Sequence, residues 1–235
     1  MNIRCIWEYN GTDTILYSEN YIGAFTRGAT LDIALDKMAK EIESYLLWKK
    51  EDIPELLIPE IVQKKESNLQ ICDADSDIIF DTEKIALSQD EYYQLKELVL
   101  KSATDFHALY EKVPNKDKSY IPKRKTFYGN IPRTAREMYE HTRSVNSYYF
   151  GEIGVQVDHD GTIYECRQRG FDLLEQSPDF LTNPIYHGSY DEDWTLRKVI
   201  RRFIWHDRIH AKAMYRMANK TFGMYSVDNV FGVND

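Results

Sequence analysis

His206 and His210, in the stretch Arg202-Phe203-Ile204-Trp205-His206-Asp207-Arg208-Ile209-His210, stand one helical turn apart. At an i, i+4 spacing both imidazoles leave the same side of a helix, so their nitrogens can converge on one metal ion. An apolar stripe of Val199, Phe203, Ala213, Met214 and Met217 runs along that face and turns the pair toward a core. One helix supplies only two ligands, so a metal needs at least one more donor from elsewhere. His141 is that donor: it falls on the inner stripe of another expected helix, which reads Met138, His141 or Thr142, Val145, and Tyr148 or Tyr149. Three neutral imidazoles suit a divalent Zn, Ni or Fe ion and leave it an open position, as in catalytic and not closed structural sites. An ion so held lowers the pKa of a bound water or thiol and supplies a nucleophile near neutral pH. Each histidine alone reads equally as a core residue satisfied by a carbonyl or a tyrosine. The convergence of three on two helices is the argument for metal.

The other reactive side chains divide between site and scaffold. His107, beside Phe106, is a substitute ligand or a half-exposed helix residue, and His159 and His187 lie in turn-like sequence next to glycines, as surface residues do. Cys166 is either a thiol near the site or a small buried hydrophobe. Glu140, Tyr148 and Tyr149 flank His141 and either orient it or simply pack, while Trp194 and Trp205 read as anchors of the last helix. No glycine-rich phosphate loop, Gly-x-Ser-x-Gly elbow or His-Glu-x-x-His motif occurs, which sets those enzyme classes aside.

The elements that must position these residues are legible from periodicity. Residues 2–9, 13–18 and 21–26 are rich in β-branched and aromatic side chains, with Asn10-Gly11 as the first turn. From Leu31 the period changes to that of an amphipathic helix, with Thr30 as its cap. Pro54 and Pro59 are expected to break the chain, and short apolar runs at 69–72 and 78–80 suggest a further strand pair. Beyond that the chain reads as helical. Ser88 and Thr134 each open a capping box, a third helix spans about 163–176, and a long basic helix ends near Gly223. Four helices joined by a long connection (177–193) make a bundle the natural packing solution. The tail from Met224 is expected to be loosely attached.

Composition narrows the class. With 43% hydrophobic and 29% charged residues the chain is ordinary globular material, and it shows neither a membrane span nor a signal peptide, so a cytoplasmic protein is expected. Three scattered cysteines, Cys5, Cys72 and Cys166, fit reduced thiols and not a disulfide framework. The net charge of −8 disfavours nonspecific nucleic-acid binding. Yet residues 194–222 carry eight basic side chains against the single acid Asp207. Two explanations stand: a helix face that pairs with acidic neighbours, or an anionic ligand near the metal.

The run from Trp194 to His210, with Met138-Tyr139-Glu140-His141 upstream, resembles the DinB/YfiT-like metal-binding four-helix bundles over about residues 88–223. That resemblance implies one metal ligand on the second helix and a pair on the fourth, here His141, His206 and His210. It also implies thiol-dependent isomerisation or S-transfer with a low-molecular-weight thiol. The segment Tyr21-Ile22-Gly23-Ala24-Phe25-Thr26-Arg27-Gly28-Ala29-Thr30-Leu31 is similar to the HicB-like antitoxin fold, in which strands lead through a glycine turn into a helix. It covers roughly residues 1–82, and the small DNA-binding domain that usually accompanies it is not evident.

The sequence therefore reads as an α+β protein with a HicB-like unit at 1–82 and a DinB-like bundle at 83–235. Its expected function is that of a divalent-metal-dependent enzyme, a thiol S-transferase or hydrolase acting on a small electrophilic substrate. The competing expectation is a noncatalytic interaction or regulatory protein that binds a protein partner, or a second copy of itself, through the front unit.

Overall fold

The front of the chain folds because three strands, the central one buried at every position from Thr14 to Ser18, precede an amphipathic helix that covers one side of them. The computed structural model describes residues 1–11, 13–126 and 129–233. Strand β1 (Asn2–Asn10) pairs antiparallel with β2 (Asp13–Ser18), which pairs antiparallel with β3 (Phe25–Gly28). Helix α1 (Leu31–Lys49) starts at Thr30, whose side chain accepts from the Ile33 amide, and ends at Lys50 in a left-handed conformation. Strand β4 (Ile58–Glu66) then returns parallel to β1, giving the order β3-β2-β1-β4.

Three expectations for this region are corrected. The third strand does not begin at Tyr21: residues before Phe25 turn, with the Ala24 amide donating to the Tyr21 carbonyl at 2.9 Å and Gly23 at φ +88°. Pro59 lies inside β4 and does not break the chain, because an edge strand tolerates a residue with no amide proton. The apolar runs at 69–72 and 78–80 form no strand pair; a short 3-10 turn (Ile71–Asp73) and an irregular run take their place. Their apolar side chains act as plugs instead, since Ile71, Ile78 and Phe80 pack with Ile6, Ile15, Tyr17, Phe25 and Trp205 on the open side of the sheet.

The helical part follows its caps. Helix α2 (Gln89–Lys112) opens at Ser88, whose side chain accepts from the Glu91 amide, but Glu91 does not close a reciprocal box. Its carboxylate instead binds the Arg197 guanidinium through two bonds of 2.5 and 2.7 Å. Helices α3 (Ala135–Gly151) and α4 (Ile163–Leu174) both start with complete capping boxes, at Thr134 and Thr162. Helix α5 (Leu196–Phe222) is the longest, and α2 and α3 each pack against both α4 and α5. Among the described residues no helix is long and apolar enough to cross a membrane.

One apolar cluster runs through the sheet, α1 and α5, including Ile3, Leu16, Met38, Ile42, Phe203 and Met214. The expected boundary after residue 82 falls within the 3-10 turn Asp81–Lys84, whose Glu83 is ion-paired with Arg201 of α5. The tail is not loose as far as residue 233. Phe231, 1% exposed, stacks on Trp48 at 5.3 Å between ring centroids, and its carbonyl accepts from Ser44; Asn234 and Asp235 lie outside the described residues.

Gly23 joins the sheet to the helix that carries the histidines. A Cβ there would stand 2.5 Å from Ile204 Cγ2 and 2.9 Å from the Trp205 nitrogen. Left-handed strain and overpacking act together at this position, so Gly23→Ala is expected to lower unfolding free energy by about 2–4 kcal/mol. Urea denaturation reads this directly; an unchanged midpoint would show that α5 yields freely there.

Candidate metal centre

His141 is carried by α3, and His206 and His210 by successive turns of α5. The three imidazoles meet. Ring centroids are 4.9 Å apart for His141 with either partner and 4.5 Å for His206 with His210. One ligand nitrogen from each lies within 4.8 Å of the others, and Nε2 of His206 is 3.1 Å from Nε2 of His141. Two nitrogens each about 2.0–2.1 Å from one ion stand about 3 Å apart, so this pair already has the separation that shared coordination requires. Among the described residues this is the group of His, Cys, Asp or Glu side chains with that spacing.

The site is graded from core to surface. His206 is buried, His210 is partly covered, and His141 is exposed at the rim. The sequence expectation that His141 faces fully inward is therefore corrected: the buried stripe of α3 is Met138, Tyr139, Thr142, Asn146, Tyr149 and Phe150, one step around the helix. The difference has a chemical consequence, because a ligand at the rim leaves the open side of the triad toward solvent and toward an incoming molecule.

All three imidazoles are shifted toward the neutral form. Burial pushes His206 well below the ordinary imidazole range, and its two histidine neighbours add to the effect. Burial, then the nearness of His141, lowers His210 to about 3, and desolvation of its ring, which packs against the other two although the residue is exposed at the rim, lowers His141 as well. Neutral imidazoles offer lone pairs at pH 7, which a cation needs. The other nitrogen of His206, Nδ1, is buried and has no hydrogen-bond partner among the described residues. An ion on Nε2 places the ring proton on Nδ1, so this histidine lacks the carbonyl or carboxylate that usually orients a ligand.

A stability consequence follows from the depressed values. In the unfolded chain these histidines titrate near the ordinary value of about 6.5. Above that pH neither state is protonated and the full stability is present. As pH falls below it the unfolded chain takes up protons that folded His206 and His210 refuse. The metal-free protein is expected to lose up to about 1.4 kcal/mol per pH unit for each of the two between about pH 6.5 and 5. Denaturant titrations across this range test it: a His210→Ala variant should show a shallower slope, and an identical slope would contradict the assignment.

The surroundings explain why the rings stand where they do. Next to His206, Asp207 points the other way, fully buried, and accepts from both terminal nitrogens of Arg167 on α4 at 2.6 Å and from Ser102 of α2 at 2.6 Å. Arg167 also donates from Nε to Asn146 of α3 at 2.9 Å. One bidentate ion pair with its hydrogen bonds thus ties four helices together directly behind the triad. Sequence reading missed it, although the one acid among eight basic residues of the last helix was its signal.

The basic helix is largely explained by pairing with acids. Arg197 pairs with Glu91, Lys198 with Glu192, Arg201 with Glu83, and Arg208 and Lys212 share Glu41. Arg202 differs. It is 8% exposed, one turn before His206, and its guanidinium lies over the rings of Trp205, Tyr149 and Trp194 at 4.7, 5.4 and 5.5 Å. Nη1 donates to the Ser76 carbonyl at 2.7 Å, while Nε has no partner among the described residues. Tyr149 also meets the His206 ring edge-on, at 6.1 Å between centroids, and so connects the cation to the triad.

The remaining candidates stand apart from the triad. His107 Nδ1 lies 3.1 Å from the Tyr139 hydroxyl, His159 is near Ser147, and exposed His187 contacts Asp193. Cys166 is buried, its thiol donates to the Asp160 carbonyl at 3.2 Å, and burial raises its pKa, which describes a packed thiol and not an activated one. Glu140 pairs with Arg143. Tyr148 and Tyr149 pack on Trp194, so the aromatic residues anchor the start of α5 as expected.

No protein-family model, curated protein or solved structure matches this chain.

Proposed function

We propose that the protein is a divalent-metal-dependent enzyme in which His141, His206 and His210 hold the ion and a small electrophilic substrate enters past His141. The observation that carries this reading is the meeting of three neutral imidazoles from two helices, one buried and one at the rim. When bound, a Zn, Ni or Fe ion would lower the pKa of a water or of a low-molecular-weight thiol at the open position. The chain's own residues then have distinct tasks. His206 and His210 fix the site to the scaffold, Tyr149 covers the inner side of the His206 ring, and Arg202, buried behind Tyr149, adds a positive charge that favours an anionic substrate.

The open side favours catalysis over a purely structural ion, because three ligands do not close a tetrahedral site. The triad's placement on α3 and α5 also supports a DinB/YfiT-like reading of residues 88–223. The three antiparallel strands entering α1 through Gly28 support a HicB-like reading of the front unit, which would then border the cleft. On the DinB/YfiT-like resemblance we propose thiol S-transfer as the reaction class, with hydrolysis as the alternative.

The test is consumption of glutathione with a chloronitrobenzene electrophile by metal-loaded protein. A rate that disappears in His210→Ala and weakens in Arg202→Gln supports the assignment. Equal rates in wild type and His210→Ala would remove the triad from the chemistry.

A further inference from the structure

A second basic feature lies beside the triad on a different face of α5. Between β3, α1 and the second half of α5 there is a cavity of about 600 Å³, a volume ordinary for a small-molecule site. Five of its lining residues are Lys or Arg and two, Asp36 and Glu41, are acids. Glu41 is already committed: it is buried and accepts from Arg208 at 2.9 Å and from Lys212 at 2.5 Å. The lining is therefore strongly positive on a chain whose net charge is −8.

Arg27, on β3, lines the cavity and carries a guanidinium edge that is unpaired among the described residues. Its Nη1 donates to the Cys72 carbonyl at 3.2 Å, while Nε and Nη2 are buried and have no hydrogen-bond partner among the described residues. These two atoms form one edge of the guanidinium, the edge that grips two oxygens of an oxyanion at once. Lys37 is fixed beside it, donating to the Arg27 carbonyl at 2.8 Å. Phe25, Ile209 and Ala213 supply an apolar wall.

We propose that this cavity binds a small organic phosphate. The phosphoryl oxygens would sit in the field of the surrounding cations and draw the buried, unpaired edge of Arg27 toward them, and the organic part would lie on Phe25 and Ile209. A dianionic phosphoryl group matches the surplus of cations better than a single carboxylate does, and the overall negative charge opposes a long polyanion. The site is separate from the triad, since none of the three histidines lines it, but it shares α5 with it: Ile209 immediately precedes His210.

Titration calorimetry with phenyl phosphate, inorganic phosphate and benzoate tests this on the full chain. Phenyl phosphate is expected to bind most tightly, with affinity falling about tenfold or more in Arg27→Gln. Because Arg27 is half-buried, a second variant, Lys37→Gln/Arg216→Gln, changes exposed side chains and should weaken binding with an unchanged unfolding midpoint. His206→Ala should retain phenyl phosphate, which separates this cavity from the metal site. The proposal is overturned if phenyl phosphate does not bind at millimolar concentration, if both basic-residue variants bind as wild type does, or if only His206→Ala loses it. It is equally overturned if an oligonucleotide binds and phenyl phosphate does not.

Discussion

Asp207→Ala is expected to destabilise the protein by about 3–5 kcal/mol, the cost of removing one partner from a buried ion pair. Asp207 and Arg167 are both fully buried, and the carboxylate takes two guanidinium bonds and the Ser102 hydroxyl. Its loss leaves a cation with no counter-charge among four helices. Urea unfolding measures the change, and a loss under about 1 kcal/mol would contradict the role assigned to the pair. The double replacement Arg167→Met/Asp207→Leu should recover much of the loss, because apolar side chains of similar volume often replace a buried ion pair at little cost. If the double variant were as unstable as the single one, the hydrogen bonds to Asn146 and Ser102, and not the charge, would hold the helices.

His206→Ala is expected to weaken metal binding by more than about 100-fold, since even the loss of a residue that only supports a ligand costs about 10- to 100-fold. His206 is the buried member of the triad, and Nε2 stands 3.1 Å from that of His141. Competition against a chromophoric chelator gives the affinity. His107→Ala provides the contrast: its ring contacts Tyr139 and lies outside the triad, so its affinity should match wild type. Equal losses in both variants would mean that the histidines act through general packing.

What the sequence made legible depended on periodicity and caps. Thr30, Ser88 and Thr134 announced their helices because a side-chain oxygen followed by an apolar period leaves few other readings. The i, i+4 spacing placed His206 and His210 together, and the stripe of α3 brought His141 to them, though its exposure at the rim depends on a rotation of a single residue step. β4 stayed hidden because Gln63-Lys64-Lys65-Glu66 is polar, as an exposed edge strand allows. The runs around Ile71 and Ile78 misled for the opposite reason: they are apolar because they fill the open face of the sheet, not because they join it. Arg167 and Arg202 could not be placed from spacing, since what a buried arginine meets is decided by helix packing and not by its own neighbours in sequence.

The coupling of fold and site runs through α5. Its first half carries Arg202 against the aromatic wall, its middle carries His206 and His210, and its second half borders the basic cavity. A displacement of this helix therefore reaches the Gly23 contact, the Asp207 ion pair and the triad together.

Metal analysis of the purified wild-type protein, joined to X-ray absorption at the edge of the metal found, decides whether the three histidines hold an ion. One ion per chain is expected, with three imidazole nitrogens in its coordination sphere, and no stoichiometric ion in the His141→Ala/His206→Ala/His210→Ala variant. An ion retained in that variant, or a coordination sphere without histidine nitrogens, would contradict that expectation.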